Sequence, residues 1–416
     1  MILRMAIRNI NRHRMRSILS FLAIALGVLV VILTKSMVDG LVDSVTRNSV
    51  ELTSGHVRIT QREYRPKERL LSLNYPIDGF SGEGIGPMVE TLRQEPMAVT
   101  VSPRIKFGAM AVKDDDTVSM IGLGVEPEVE MKLANLDRYL HAGRFIKPGA
   151  REVAMGSKLL NKLGLKVGDR ATLLFSDAFG SMQGYSFDIV GELRSGLELL
   201  DGHLVYLPLD TAQGILNMPD MVTEILIKTR HEGQTKKLHG QIEAILSEHN
   251  SLDYYEAVPW YDQSELLSYI SMAKVIYNLV YFFILGLASF VVINTMIMIV
   301  NERTREIGML AALGLRPRQI LRLFMLEGTL LGVTGSALGT IFGGFIARTL
   351  SITGIPYEGI ESIGAEFLMT PTIYPQFSLG ILAFAFVAGL IITAIAVYIP
   401  ARGAARLDPT EALRTS

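Results

Sequence analysis

Cysteine is absent from the 416 residues. Its absence excludes disulfides, thiolate metal sites, iron–sulfur clusters, cysteine nucleophiles and a lipid-modified N-terminal cysteine. A surplus of either charge is missing too, since 40 Lys and Arg stand against 41 Asp and Glu for a net charge of −1. Proteins that hold nucleic acid normally carry a strongly basic domain, so no nucleic-acid partner is expected. The sequence also lacks H-E-x-x-H among its histidines (His13, His56, His141, His203, His231, His239, His249), and it lacks G-x-S-x-G. Asp114, Asp115 and Asp116 are not followed by the glycine and glutamate of an EF-hand loop, and they read as a solvated hairpin turn. No catalytic residue and no metal site is expected.

Apolar residues are plentiful, at 49% against 19% charged. That mixture is too apolar for an ordinary soluble domain and too charged for a chain lying wholly within a bilayer. The excess is concentrated in four uncharged runs, residues 17–34, 275–300, 328–347 and 377–401. Each is about long enough, at roughly 1.5 Å per helical residue, to cross roughly 30 Å of hydrocarbon. The fold class expected is therefore a polytopic α-helical membrane protein with four transmembrane helices and a large α+β periplasmic domain between the first and second. The first run is followed by Thr34-Lys35-Ser36-Met37 rather than an A-x-A-like cleavage site, so it reads as a retained span.

Orientation follows from Lys and Arg in short segments. Arg4, Arg8, Arg12, Arg14 and Arg16 precede the first run, Arg303, Arg305, Arg316, Arg318 and Arg322 follow the second, and Arg402, Arg406 and Arg414 occupy the tail. Residues 349–376 have neither Lys nor Arg. Both termini are expected in the cytoplasm of a multi-pass inner-membrane protein. The segments are then a cytoplasmic start (1–16), the first span and stalk (17–40), the periplasmic domain (41–265) and the second stalk and span (266–300). A cytoplasmic loop (301–327), third span (328–348), short outer loop (349–376), fourth span (377–400) and cytoplasmic tail (401–416) complete the chain.

Within the large domain, short β-rich stretches at 56–60, 108–112, 117–125, 170–175, 186–191, 203–207 and 223–228 predict strands, and 157–163 and 234–249 have helical spacing. The expectation is an α+β sandwich. At its edges, Val38, Leu41, Val42 and Val45, and then Leu266, Tyr269, Ile270 and Ala273, keep an i, i+3, i+4, i+7 pattern. Both membrane helices are expected to continue outward as a stalk. In the third run Gly335, Gly339 and Gly343 recur every four residues, a helix-packing face suited to another span of this chain or of a second protomer.

Residues 301–314, NERTREIGMLAALG, begin with mixed charge and turn apolar, with Ile307, Leu310, Ala311 and Gly314 on one helical face. Gly314 suits a left-handed C-cap and Pro317 the first turn of the next helix. This loop, with the tail 400–414, PARGAARLDPTEALR, resembles the signature of FtsX/MacB/LolC-LolE-type ABC transporter permeases, and so does the order of one span, a large domain and three spans. The resemblance implies a dimer with a second permease, identical or not. It implies a separate cytoplasmic ABC ATPase subunit that binds ATP and Mg, none of which this chain holds. The coupling residues implied are Glu302, Arg303, Arg305, Glu306, Ile307, Gly308, Leu310, Leu313 and Gly314. The missing G-x-x-x-x-G-K-[ST] phosphate loop agrees that the chain is not itself the ATPase.

Among branches, the lipoprotein-releasing LolC/LolE type is the best match. A strict MacB is not expected, because the first span begins too early for a fused ATPase, and FtsX-type proteins have a smaller outer domain. Residues 156–169, 187–191 and 195–201 are similar to the LolC/LolE outer domain, but 177–185 is short and glycine-rich where LolC has a hook for its periplasmic carrier. The alternatives are efflux of an amphiphile or peptide, with an adaptor in the periplasm, and regulation of a periplasmic enzyme. At about 0.8 kcal/mol per CH₂, exposing one acyl chain of roughly 15 methylenes to water costs on the order of 12 kcal/mol. A lipoprotein, or any lipid-like substrate leaving the membrane, therefore needs an apolar cavity, expected beside Val38, Leu41, Leu266 and Ile270.

Overall fold

The computed structural model describes residues 14–113, 116–263, 265–312, 314–356 and 372–407, and within these it leaves aside the side chains of 14, 16, 112, 113, 116, 265–274 and 310. Asp114 and Asp115 of the acidic turn fall outside it, as does Leu313. The chain forms two compact units. One takes in the residues up to Val42, Ser271–Pro356 and those from Thr372 onward, and the other contains Asp43–Ile270.

Among the described residues four helices are long and apolar enough to cross a membrane, Arg14–Ser49, Glu265–Glu302, Pro317–Thr353 and Leu379–Ala404. Three of the apolar runs lie wholly within one of these helices and the fourth, 377–401, starts two residues before its helix, as a backbone in hydrocarbon must satisfy its own hydrogen bonds. The helices outrun the apolar segments. The third begins at Pro317, well before Gly328, with proline at its first position and the Arg316 amide donating to Gln319 Oε1 at 2.8 Å. Charge marks where hydrocarbon ends, whereas the helix goes on until a cap or proline stops it. The first helix likewise runs past residue 40, so both helices flanking the large domain continue beyond their apolar runs.

Glycine sets the spacing in the membrane unit. A Cβ on Gly335 would lie 2.9 Å from Ile24 Cβ, one on Gly339 2.5 Å from the Ala25 carbonyl oxygen, and one on Gly343 3.2 Å from Ile32. The repeat is therefore used inside the chain, against the first helix. Gly328 and Gly332 admit Val397 and Thr393 of the fourth helix in the same way. Ile24, Val28, Ile32, Leu285, Val292 and Ala385 fill the middle. Phe283, Phe290, Ile341, Phe345 and Ile395 remain on the outer surface, as lipid requires.

In the second unit the strands are β1 (Val57–Gln61), β2 (Thr100–Lys113), β3 (Asp116–Val125), β4 (Leu140–Gly143), β5 (Glu152–Gly156), β6 (Arg170–Ser176), β7 (Met182–Leu193), β8 (Leu204–Pro208), β9 (Glu224–Lys228) and β10 (Tyr255–Pro259). They form one sheet of order β10-β1-β9-β2-β3-β8-β5-β7-β4, with β6 bonded to both β2 and β7. The expected sandwich is replaced by a single sheet in which β2, β3, β8, β5, β7 and β6 pair in a closed ring. Ring closure is possible because β2 is long enough to hold β9 with residues 100–104 and β6 with 109–111.

Side chains alternate across the ring: Val205 and Leu207 join one core, Leu204 and Tyr206 the other. The wing β10-β1-β9 is backed by helices Ile85–Gln94 and Thr235–Glu248, which contribute Met88, Leu92, Leu238, Ile242 and Leu246. On its other face buried Arg58 donates to Glu68 at 2.7 and 2.9 Å and to Glu224 at 3.4 Å. Burial alone would raise the Glu68 carboxyl, but Arg58 and Lys106 hold it down at about 2.

Candidate functional site

The helix Thr304–Ala312 stands between the second and third long helices. Thr304 begins it, its hydroxyl donating to the Asn301 and Val300 carbonyls at 2.8 and 3.2 Å. Gly314 ends it with φ +94° and an amide donating to the Ala311 carbonyl at 3.0 Å, a left-handed turn that glycine makes without strain.

Its residues face two ways. Arg305, Met309 and Ala312 are exposed, as are Glu302 and Gly314, while Ile307 and Gly308 are buried and Glu306 is half-buried. The side chains of Leu310 and Leu313 lie outside the described residues. Arg303 turns inward. Its Nε donates to Glu306 Oε2 at 2.9 Å, its Nη1 is 3.7 Å from Glu327 Oε2, and its guanidinium lies 5.9 Å from the Phe324 ring centre. Arg303 and Glu327 side chains are only 11% and 3% exposed.

A cation thus sits between two carboxylates, one on the short helix and one on the third long helix. Pulling the short helix away would strip Glu327 of a buried counter-charge, which is costly. The sequence reading took Glu327 merely as the border of an apolar run and did not name Phe324. The signal available was the acidic residue itself, one turn beyond the basic Arg322 and directly before a glycine-spaced helix face.

At the other end of the first span, Val38 and Leu41 are half-buried. The side chains of Leu266 and Ile270 lie outside the described residues, so only two of the four residues expected to line a cavity are described. One turn inward, Lys35 pairs with Asp39 at 3.0 Å, and its ammonium lies 5.6 Å from the Tyr281 ring and 5.4 Å from the Phe384 ring. The first, second and fourth helices meet around this cation. The sequence reading used Lys35 only as a flank.

In the sheet domain, β6 and β7 pair as far as Ser176 and Met182, which leaves residues 177–181 as the turn. Asp177 Oδ1 accepts the Phe179 and Ser181 amides at 3.0 and 2.9 Å, and Asp177 Oδ2 accepts from Asn217 Nδ2 at 2.9 Å. The turn is tight and internally bonded, with Phe179 at its exposed tip.

Residues 17–245 match the MacB-like periplasmic core domain, and residues 278–409 match the FtsX-like permease C-terminal domain. The chain belongs to the FtsX/MacB family of ABC transporter permeases. Relatives come from several of its branches. The lipoprotein-releasing system transmembrane protein LolC of Xylella fastidiosa is 26% identical, covering 96% of this chain and 93% of its own. The uncharacterised ABC transporter permease YknZ of Bacillus subtilis is 25% identical over 99% of this chain and 98% of its own. The macrolide export ATP-binding/permease protein MacB of Bordetella avium is 24% identical over 99% of this chain and 59% of its own.

Proposed function

We propose that this permease carries the stroke of a separate cytoplasmic ATPase subunit, seated on residues 302–314, across the inner membrane to the sheet domain in the periplasm. The observation that carries the reading is Arg303, placed at the head of the short helix and shared between Glu306 and Glu327. A subunit gripping the exposed Arg305 and Met309 would move the third long helix through that charge. The arginines around residues 4–16, 303–322 and 402–414 favour the same side of the membrane for both termini and this loop.

The substrate favoured is a lipoprotein, released from the inner membrane through an apolar cavity beside Val38 and Leu41 by a dimer of permeases. The full-length similarity to LolC supports that choice. The five-residue turn at 177–181 favours a second reading, efflux of an amphiphile or peptide, because it offers no hook to a soluble carrier. Co-purification from native membranes tests both. The expected result is an ATPase subunit together with an acylated protein, whose release Leu41→Glu abolishes. Release unaffected by that charge would remove the cavity, and recovery of an outer-membrane channel and adaptor would favour efflux.

A further inference from the structure

The first long helix ends in a single π turn, Val50–Ser54, closed by the Gly55 amide donating to the Val50 carbonyl at 3.0 Å. Such turns are rare and are frequent at functional sites. This one is gripped from several directions. Arg104 of β2, only 1% exposed, donates Nη1 to the Leu52 carbonyl at 2.8 Å. Its Nε and Nη2 reach Glu130 at 3.0 and 2.6 Å, and the Ser102 hydroxyl donates to the same carboxylate at 3.2 Å.

Glu51 accepts from Asn135 Nδ2 at 2.9 Å and lies 3.7 Å from Lys228. Gln263 Nε2 donates to the Ser54 carbonyl at 3.0 Å and to the Val258 carbonyl at 2.9 Å. Gly55, at φ +58°, then turns the chain into β1 where a Cβ would lie 3.1 Å from the Ile227 backbone.

Glu130 alone would neutralise Arg104. The third contact, to a backbone carbonyl of the helix end, adds nothing to the sheet and fastens the helix to it. A π turn held only by its own hydrogen bonds would be a soft hinge. Held by a buried, bidentate-paired guanidinium, it is a fixed joint.

We propose that Arg104 is a positioning residue that locks the last turns of the first helix to the sheet domain, so that the turn at 50–54 transmits force instead of absorbing it. The purpose of the lock rests on the coupling reading above, but its existence does not.

Because the chain has no cysteine, spin labels can be placed cleanly in the full-length protein in lipid nanodiscs. A helix-to-domain pair uses the exposed Arg47→Cys and Arg170→Cys, and a control pair within the domain uses Arg170→Cys and Glu248→Cys. The first pair is expected to give one narrow distance peak. Arg104→Gln is expected to lose that peak while the control pair keeps its own. The double variant Arg104→Met/Glu130→Leu leaves no lone buried charge and is expected to do the same.

A helix-to-domain peak that stays narrow in both variants would overturn the lock, and so would a control pair that broadens equally in both, since Arg104 would then merely hold the sheet together. In the complex with its ATPase subunit, both variants should keep hydrolysing ATP while substrate release falls roughly tenfold, the scale of residues on a coupling route. A loosened helix with undiminished release would leave the lock standing and reject the coupling reading.

Discussion

In the membrane unit, helices approach through positions where a side chain is missing: Gly335, Gly339 and Gly343 face the first helix, and Gly328 and Gly332 the fourth. In the sheet domain the close contacts are made by side chains that alternate between two cores, with Arg104–Glu130 and Arg58–Glu224 closed inside. The difference follows from the solvent. In lipid an apolar side chain gains little by leaving the hydrocarbon, so close backbone approach has to supply the attraction. In water burial itself is favourable and can carry the cost of a few enclosed charges.

The sharpest test of that contrast falls on the domain. Glu130→Leu leaves the Arg104 charge buried beside an apolar neighbour, with an expected loss of about 3–5 kcal/mol in thermal or chemical unfolding. Adding Arg104→Met should restore most of it. A single variant no worse than the double would contradict the account of enclosed charge.

Next in size is Gly339→Ala, whose added Cβ would meet the Ala25 carbonyl oxygen. An expected loss of about 1–3 kcal/mol should appear as less monodisperse protein after extraction. Gly286→Ala, where nothing stands within 4 Å, is expected to be silent. Equal effects would mean that close approach is not what holds the helices.

Smaller again is Glu327→Gln, which keeps the shape but removes the charge facing Arg303. ATP-driven output should fall by about 0.5–2 kcal/mol, a few-fold to some thirty-fold, with assembly intact. An unchanged output would detach the short helix from the third long helix.

A last test is of pH dependence. His56 is buried at the start of β1, where it accepts the Thr229 amide on Nδ1 at 3.2 Å. Burial, then repulsion from Lys228, lowers its pKa from 6.5 to about 4. The unfolded chain therefore binds more protons between those values, and stability rises with pH across that window. The contribution is complete above about 6.5 and is lost as pH falls through about 4. Unfolding midpoints of the parent and His56→Gln should converge toward the acid end; parallel pH profiles would contradict the assignment.

The four spans were legible because a helix crossing hydrocarbon needs about 20 mostly apolar residues in a row, and β1, β3 and β6 because their residues are β-branched or alternate. β5, Glu-Val-Ala-Met-Gly, went unread: it lies between β8 and β7, and its small residues carry no strand signal. β10 ends in Pro259, which argues against an inner strand and is tolerated because β10 is at the edge. Proline 103 similarly hid the first half of β2, which pairs with β9. At residues 301–314 the side chains were named from sequence, yet the partner Glu327 was not, since a charge next to an apolar run looks like its boundary until the helix is seen to begin at Pro317. The glycine repeat gave its face but not its neighbour, because a spacing of four carries no information about which helix fills it. The π turn left no pattern at all, and the side chains that hold it, Arg104, Asn135 and Gln263, come from far away in the chain.

The central claim is that force enters at the short helix from another subunit. Photo-crosslinkers placed singly at Arg305 and Met309, with the exposed Phe179 of the β6–β7 turn as the control, test it in native membranes. The account predicts capture of one ATPase subunit at 305 and 309, changing with nucleotide, and none at 179. Failure to capture such a subunit at either position in an active complex would contradict it.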